Sequence, residues 1–310
     1  MIGGFLNYLS LERAYSPHTV TSYENDLRAF EAYLGRTENG MKLEEADADL
    51  VRGWAMELVG LGIKAASVNR KLSSLRTFYK YLLKRGAVKV SPVQNVRGPK
   101  RAKPLPLFVR EEEMGRMLCA TAQGEEWQEM REHVILQLFY ETGIRLSELV
   151  GLNEADVDFG RKTIKVVGKR NKQRIIPIGD DLVGSLKRYW EALSEKEFSK
   201  LRGLQGSSQE GGGGGIPLFV TDKGVRVYPG WVYRLVKKNL SQVVSLKKRS
   251  PHVLRHTFAT AMLNNEAELG AVKELMGHAS VSTTQIYTHT TFEELKKAYS
   301  KAHPRASINQ

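Results

Sequence analysis

The feature that most constrains how this chain folds is an interruption of its helical pattern between residues 86 and 108. That segment contains two glycines, several basic residues and four prolines: Pro92, Pro99, Pro104 and Pro106. Proline lacks a backbone N–H and breaks a helix, so no regular helix is expected to cross the segment. The sequence therefore predicts two domains, residues 1–100 and 108–310, joined by a linker at residues 101–107. A basic linker either follows a nucleic-acid backbone or is simply solvated, and both interpretations stay open.

The first domain has the pattern of a helical bundle. Ser16 followed by Pro17 is typical of a helix start, because the hydroxyl caps the first turn and proline is favoured at the first helical position. Asp49 is the predicted cap of a second helix, and Ser67 that of a third. Apolar residues three or four positions apart give these helices one buried face each. In the first and third helices that face comprises Val20, Tyr23, Leu27, Phe30 and Leu34, and Val68, Leu72, Leu75, Phe78 and Leu82.

The second domain is expected to be dominated by helices, with a small β element. Helical and alternating apolar patterns identify its segments. They are helices at 111–120, at 133–140 and from Pro229, and strands at 163–167, 174–178 and 218–221. The first two strands form a predicted β-hairpin, and the glycine-rich stretch 205–215 predicts a flexible loop. The fold class is therefore mainly α with a small β-hairpin or sheet.

Charge narrows the functional class. The chain has 47 Lys and Arg against 34 Asp and Glu, a formal net charge of +13. Residues 58–110 contain thirteen Lys or Arg and no acidic residue, whereas an ordinary solvated surface mixes both signs. A large positive charge favours a polyanionic partner, either nucleic acid or an anionic membrane surface. Four basic side chains fall off the apolar face of the third helix and are available to phosphate: Arg70, Lys71, Lys80 and Lys84.

Other features exclude function classes. No apolar run approaches the length of a membrane span, and the first residues lack a secretion signal, so we expect a cytoplasmic protein with no membrane partner. The single cysteine, Cys119, precludes an internal disulfide and is expected to be buried. The sequence has no nucleotide-binding loop and no metal-binding motif, so neither a cofactor nor a metal is expected.

What stands out instead is an ordered series of basic residues. Arg145 lies in ETGIRLSELVGL, just after a helix break at Gly143, and an arginine at such a helix start is well placed to meet an anion. Lys169 lies at the tip of the predicted hairpin, where it can donate a proton to a leaving oxygen. Lys172 is a nearby alternative for that role.

The series continues to a tyrosine near the end of the chain. His252 and Arg255 lie in SPHVLRHTFAT and are three residues apart, so they share one face of a helix. His278 and Tyr287 follow in LMGHASVSTTQIYTH. Each of these features is weak alone, and it is their order along the chain that is informative.

These motifs resemble the tyrosine recombinase, or phage-integrase-like, family, and most closely its bacterial Xer branch. The shared contexts are TGxRxSEL, GKxNKxR, HxLRHTFAT, LxGHxSxxTTxxYTH and the closing AHPRA. The resemblance covers nearly the whole chain, including the SPHTxxxYxxDLxxF opening. Next to Lys169, Arg170 stands in place of the usual glycine and Gln173 in place of the usual glutamate. The glycine-rich stretch 205–215 is also atypical.

The resemblance implies a fold and a reaction. The fold is a two-domain, C-shaped clamp around DNA, with a helical core-binding domain followed by a catalytic domain that ends in an exchanged helix. The reaction passes through a 3′-phosphotyrosyl intermediate on the nucleophile. The implied catalytic residues are Arg145, Lys169, His252, Arg255, His278 and Tyr287, with Tyr287 as the nucleophile. Two arginines suit a phosphoryl group, because each can donate paired hydrogen bonds to its oxygens.

The resemblance also implies partners and a role. The partners are a double-stranded DNA recombination site, a related recombinase in a homo- or heterotetramer, and a DNA translocase. The role is resolution of chromosome dimers at cell division, and the ending AYSKAHPRA leans toward the XerC type over XerD. The alternative is the integrase or invertase of a mobile element. A non-catalytic architectural protein is disfavoured by the intact series, and a type IB topoisomerase by the short chain.

Overall fold

The computed structural model describes residues 1–37, 40–100, 107–168, 172–194, 215–244, 248–277 and 289–305. The chain divides into two compact units, Met1–Pro104 and Leu105–Gln310. Both units are mainly helical and the second contains a small antiparallel sheet, as the sequence predicts. Residues 101–106 of the predicted linker lie outside the described residues. Within the described ranges, no helix is both long and apolar enough to cross a membrane.

The first unit packs its helices around one apolar core. They are α1 (Ile2–Asn7), a π-helical turn (Tyr8–Glu12), α2 (Pro17–Thr37), α3 (Ala48–Gly60) and α4 (Ala65–Lys84). Most of the apolar face predicted for α2, and all of that predicted for α4, is fully buried, which removes apolar surface from water and stabilises the unit. The start of α2 is as predicted, because Ser16 Oγ accepts a hydrogen bond from the backbone N–H of Thr19 at 3.3 Å.

Two helix starts in this unit differ from the prediction. Asp47, and not Asp49, caps α3: its Oδ1 accepts a hydrogen bond from the backbone N–H of Leu50 at 2.9 Å. Asp47 has the extended backbone that a cap requires, whereas Asp49 already lies in the first helical turn. Helix α4 begins at Ala65, two residues before the predicted cap Ser67, and no described side chain caps it.

Residues 88–100 belong to the first unit and do not form a free tether. Val96 is buried in the unit's core. The guanidinium of Arg76 donates to the carbonyl oxygen of Val96 at 2.7 Å, and Nδ2 of Asn69 donates to that of Pro99 at 2.9 Å. Both donors lie on α4, so the segment is fixed along that helix.

The second unit surrounds one buried helix. Its elements are α5 (Glu111–Ala122), α6 (Trp127–Thr142), α7 (Leu146–Gly151), a 3₁₀ turn (Glu154–Asp156), β1 (Val157–Asp158), β2 (Thr163–Val167), β3 (Gln173–Pro177), α8 (Asp180–Ser194), α9 (Pro229–Val243), α10 (Pro251–Asn264), α11 (Leu269–Leu275) and α12 (His289–Ala302). Every residue from 133 to 142 is buried, because α6 packs against α5, α8 and α10. Helix α6 therefore forms the centre of this unit.

The sheet has the order β1-β2-β3, with both pairs antiparallel. The predicted hairpin is present, and its register pairs Val167 with Gln173. The further strand predicted at residues 218–221 is wrong. That apolar segment is buried in the core, but it forms only single bridges, such as Val220 with Arg226 across a tight turn.

Two other expectations concern burial. Cys119 was expected to be buried, and it is exposed. Helix α5 buries its other face, which includes Met114 and Leu118, so Cys119 falls on the solvent side. The exchanged helix that the resemblance implies at the end of the chain corresponds to α12, and its Leu295 and Tyr299 are buried within the same chain, in a cluster with residues of α10 and α11.

Candidate active site

The candidate site begins at the C-terminal end of α6, where the chain turns sharply. Gly143 ends that helix in the left-handed conformation, with φ 57° and ψ 24°, which glycine adopts without a steric penalty. A Cβ atom at this position would lie 2.4 Å from Cδ1 of Phe258 on α10, so a side chain does not fit. The turn places Arg145 directly before α7 and Glu148 in the first turn of α7.

Arg145 is oriented by bonds to a carboxylate and a backbone carbonyl. Its Nη1 donates to Oε1 of Glu148 at 2.7 Å, and its Nη2 donates to the carbonyl oxygen of Gly277 at 2.7 Å. Its backbone N–H donates to Oε2 of Glu148 at 2.8 Å. A guanidinium has five N–H donors. Because the Arg145 side chain is 33% exposed, the donors outside these bonds can meet an anion from solvent.

Arg255 lies on α10 and is almost completely buried. Its Nη1 donates to the carbonyl oxygen of Gly143, and its Nη2 donates to that of Met276. Burial, followed by the positive charge of Arg145, lowers the pKa of Arg255 to about 10. Arg255 therefore stays charged at neutral pH despite its burial, with Arg145 as a neighbouring cation.

His252 lies one turn before Arg255 on α10 and reaches solvent. Burial lowers its pKa, and so do the positive charges of Arg255, His256, Lys248 and Arg145, in that order. The lowered pKa keeps the imidazole neutral at neutral pH. A neutral imidazole has one ring nitrogen that can accept a proton.

The structure thus brings together Arg145, His252 and Arg255 among the six predicted residues. Lys169, His278 and Tyr287 lie outside the described residues. The described chain reaches the neighbouring positions of two of them. The backbone N–H of Gly168 donates to the carbonyl oxygen of Lys172 at 2.7 Å and closes the base of the hairpin. Gly277, at φ 64°, has its carbonyl bonded to Arg145.

Two residues of the site are missing from the sequence prediction. Glu148 is buried and accepts hydrogen bonds from both Arg145 and Arg174. Arg174, on β3, is also buried, and its Nε donates to the carbonyl oxygen of Leu275 at 2.8 Å. A signal for Arg174 exists in the sequence, because it falls on the inward-facing side of a strand, where a charged residue needs a partner.

The charge of Glu148 is fixed by these contacts. Burial raises the pKa of the Glu148 carboxyl, but the hydrogen bond and the charge of Arg174 and the bonds from Arg145 lower it more, to about 2. Two guanidiniums therefore bond to one carboxylate, and the guanidinium of Arg255 is close enough to be affected by its charge. In the described ranges, no cluster of three or more His, Cys, Asp or Glu side chains is placed to hold a metal ion. The arrangement suits an anion with several oxygens, such as a phosphate group.

Family models match both units of the chain. Residues 2–86 match the phage integrase N-terminal SAM-like domain, and residues 108–294 match the phage integrase family. The chain belongs to the phage integrase family. This match covers the motifs from Arg145 to Tyr287, on which the sequence resemblance rests.

Curated relatives of this phage integrase family member match it along nearly its full length. The tyrosine recombinase XerC of Chlorobaculum tepidum is 38% identical over 98% of this chain and 94% of that protein. The tyrosine recombinase XerC of Staphylococcus saprophyticus is 39% identical over 97% of this chain and 96% of that protein. The predicted resemblance to Xer-type tyrosine recombinases, which are site-specific DNA recombinases, is confirmed.

Solved structures of recombinases share the fold. The XerH site-specific recombinase bound to palindromic difH substrate in a post-cleavage complex matches with a TM-score of 0.69 at 22% identity, over 97% of this chain and 84% of that chain. The Tn1549 transposon integrase in complex with transposon right end DNA matches with a TM-score of 0.67 at 18% identity, over 96% of this chain and 98% of that chain. At these identities the likeness supports the fold of this family member alone.

Proposed function

We propose that this phage integrase family member cleaves and rejoins double-stranded DNA at a specific recombination site, with Tyr287 as the nucleophile. The observation that carries the proposal is the pair Arg145 and Arg255. Their guanidiniums bond to the consecutive carbonyls of Gly277 and Met276, so both cations are held beside one turn. Two fixed arginines are suited to one phosphoryl group, since each can bind two of its oxygens.

The reaction begins with attack of the Tyr287 oxygen on phosphorus. The new P–O bond forms as the bond from phosphorus to the 5′ oxygen breaks, and the product is a 3′-phosphotyrosyl ester with a free 5′ hydroxyl. Arg145 and Arg255 donate hydrogen bonds to the non-bridging oxygens, whose negative charge grows in the transition state. His252, held neutral, accepts the proton of the tyrosine hydroxyl.

Lys169 supplies the proton that the leaving 5′ oxygen takes up, and His278 adds a hydrogen bond to the phosphoryl group. The 5′ hydroxyl of a second strand then attacks the ester and frees Tyr287. The ester conserves the energy of the phosphodiester bond, so the strand exchange needs neither ATP nor a metal. The roles of Lys169 and His278 are assigned from the motif order, since both residues match the family pattern.

The biological role proposed is resolution of chromosome dimers in the cytoplasm at cell division. It rests on the curated relatives named XerC, which are 36–39% identical to this chain over nearly all of its length. Residues 1–100 act as the core-binding domain and residues 108–310 as the catalytic domain. The working assembly is a tetramer, either of this chain or with a related recombinase, assisted by a DNA translocase. The C-terminal helix α12 is the segment exchanged between neighbours.

A mobile-element integrase or invertase is the second candidate. The observation behind it is the family match itself: residues 108–294, which contain all six predicted catalytic residues, match the phage integrase family. The two roles predict different phenotypes. Loss of the gene should leave undivided chromosome dimers in dividing cells if the first role holds, and should leave division normal if the second holds.

The experiment that tests the proposed chemistry uses a nicked suicide duplex whose site has been selected by binding from a random library. The nick lies just 3′ of the cleavage position, so the short fragment that carries the free 5′ hydroxyl diffuses away and the covalent intermediate accumulates. The wild-type protein should form a covalent protein–DNA adduct without added metal or ATP. Tyr287→Phe should bind the same duplex with unchanged affinity and form no adduct. An adduct formed at a normal rate by the variant would place the nucleophile elsewhere.

A further inference from the structure

Arg174 has no role in the six-residue scheme, yet it joins three parts of the site. Its side chain is 6% exposed. Nη1 and Nη2 donate to the two oxygens of Glu148 at 2.7 and 2.9 Å, and Nε donates to the carbonyl oxygen of Leu275 at 2.8 Å. One guanidinium thus connects β3, α7 and the end of α11.

The turn after α11 is held by three arginines from three different elements. Arg174 bonds to the carbonyl of Leu275, Arg255 to that of Met276, and Arg145 to that of Gly277. Because a planar guanidinium donates in several directions at once, each arginine can hold the turn and keep donors for another partner. The turn leads directly to position 278.

Packing around Gly277 shows how closely the two cations approach each other. A Cβ atom on Gly277 would lie 3.1 Å from Nη1 of Arg174 and 3.3 Å from Nη1 of Arg145. Both of these nitrogens donate to the same atom, Oε1 of Glu148, at 2.7 Å. Arg174 and Arg145 therefore share one carboxylate oxygen.

Glu148 strongly attracts a guanidinium, because its side chain is only 1% exposed and a buried carboxylate must be matched by a cation. Arg174 forms a two-pronged bond that engages both of its oxygens. Without Arg174, Arg145 would be the one described side-chain cation still bonded to Glu148. The carboxylate would then draw Arg145 inward, away from an anion that arrives from solvent.

We propose that Arg174 is a positioning residue for DNA cleavage: it satisfies Glu148, so that Arg145 stays directed at the scissile phosphate. This inference rests on the proposed function, since it takes Arg145 as a ligand of that phosphate. Arg174 itself does not touch the DNA. It acts on the reaction through Glu148 and Arg145.

The test measures single-turnover adduct formation by the full-length protein at saturating concentration on the nicked suicide duplex. Arg174→Met should slow the bound complex about a hundredfold, comparable to the loss of one transition-state donor. Arg174→Lys should stay within about tenfold of the methionine variant, because an ammonium cannot form the planar fork. DNA affinity should change little, since Arg174 is buried.

The double variant separates positioning from mere packing. If Arg174 acts by satisfying Glu148, then Arg174→Met combined with Glu148→Gln should cleave at least about tenfold faster than Arg174→Met alone, because the unmatched carboxylate is gone. A double variant as slow as Arg174→Met, or an Arg174→Met variant as fast as wild type, overturns the inference. If Arg174→Met alone does not fold, the cleavage rate of the double variant is compared with that of Glu148→Gln alone. A loss there of about a hundredfold also contradicts the inference.

The matched control is Arg131→Met. Arg131 is as deeply buried, and its guanidinium donates to the carbonyl of Val220 at 2.7 Å and to Oδ1 of Asp222 at 2.8 Å, away from this site. Its loss should lower the melting temperature without slowing cleavage by the bound complex. Arg145→Ala separates the role of Arg174 as a positioning residue from the role of Arg145 as a phosphate ligand. If Arg145→Ala is slow and Arg174→Met is not, only this inference fails. If Arg145→Ala cleaves at the wild-type rate, the proposed phosphate ligand fails.

Discussion

At the scale of single residues, the charges of the candidate site do not balance. Arg145, Arg174 and Arg255 surround the turn 275–277. In the described part of the chain Glu148 is the one carboxylate that bonds to any of them, and it bonds to Arg145 and Arg174. Since the pKa of Glu148 is held at about 2 and that of Arg255 stays near 10, the Glu148 carboxyl and the Arg255 guanidinium are both ionised at neutral pH. A phosphate group would supply the missing negative charge, so the free site is prepared to bind one.

One prediction at this scale concerns the choice of Lys169 over Lys172 as the general acid. A 5′-phosphorothiolate substrate has a leaving sulfur that needs no proton. Lys169→Ala should therefore cleave ordinary DNA slowly and recover on the phosphorothiolate duplex. Lys172→Ala should cleave both duplexes at close to the wild-type rate. Single-turnover cleavage of the two duplexes measures this. Rescue confined to Lys172→Ala would reverse the assignment.

A second prediction concerns Glu141, a buried carboxyl on α6 that the proposed mechanism does not use. Its Oε1 accepts a hydrogen bond from Nε2 of Gln137 at 2.8 Å, and burial raises its pKa to about 8. In the unfolded chain this carboxyl loses its proton near pH 4.3, so between about pH 4.3 and 8 the folded state binds the extra proton. Stability should fall as pH rises through that window, by at most about 1.4 kcal/mol per pH unit from this group.

Glu141→Gln should remove that contribution. The variant and the wild type should have similar free energies of unfolding near pH 4, and the variant should be the more stable protein at pH 8. Denaturant titrations at several pH values measure the difference. Glu132→Gln is the matched control, because Glu132 lies on the same helix and reaches the surface, where it pairs with Lys238 at 3.4 Å. Equal pH slopes for wild type and Glu141→Gln would contradict the assigned pKa.

At the scale of elements, the site depends on where α6 ends against α10. The carbonyl of Gly143 holds Arg255, and the Cα of Gly143 packs on the ring of Phe258 one turn further along α10. Gly143→Ala combines a left-handed backbone with a Cβ 2.4 Å from that ring. It should lower the free energy of unfolding by about 1–3 kcal/mol and slow cleavage by displacing Arg255. Gly151→Ala is the control, since a Cβ there meets nothing within 4 Å.

Chemical denaturation and single-turnover cleavage report the two effects separately. A Gly143→Ala protein that is destabilised but cleaves at the wild-type rate would show that this turn does not position Arg255. Destabilisation of Gly151→Ala to the same extent would show that the loss is a general property of glycine replacement in this region.

The elements also show what the sequence could predict and what it could not. Starts marked by proline, as in α2 and α9, were predicted correctly, because the signal is local. The hairpin was predicted from alternation, while the apolar segment 218–221 was mistaken for a strand because a short buried run has no period of its own. The bond between Glu148 and Arg174 joins residues 26 positions apart in different elements, so no local pattern reveals it.

At the scale of the whole molecule, residues 58–110, which contain no acidic side chain, offer fewer unpaired cations than their sequence indicates. Arg70 and Lys71 both bond to Asp26, a buried carboxylate outside the stretch, and Arg76 bonds to the carbonyl of Val96. Lys80, Arg97 and Lys100 are exposed on the first unit. The cations available to DNA are therefore a subset of the thirteen in the sequence.

Neutralising Lys80, Arg97 and Lys100 together to glutamine should weaken DNA binding and reduce its salt dependence. Each lost phosphate contact should flatten the slope of log K against log salt by about 0.9. The matched control replaces Arg28, Arg36 and Arg52, which pair with carboxylates on the same unit, and removes the same formal charge. Binding isotherms of full-length protein at several salt concentrations measure both variants. Equal slopes in the two triple variants would mean that net charge, and not this surface, drives binding.

The most direct test of DNA cleavage through Tyr287 is to identify the residue that carries the DNA. The wild-type protein is trapped on the suicide duplex, the adduct is digested with nuclease and protease, and the modified peptide is sequenced by mass spectrometry. The predicted result is a single modified peptide, with a 3′-phosphonucleotide on the oxygen of Tyr287. A nucleotide attached to any other residue, or a cleaved duplex with no covalent adduct, would contradict it.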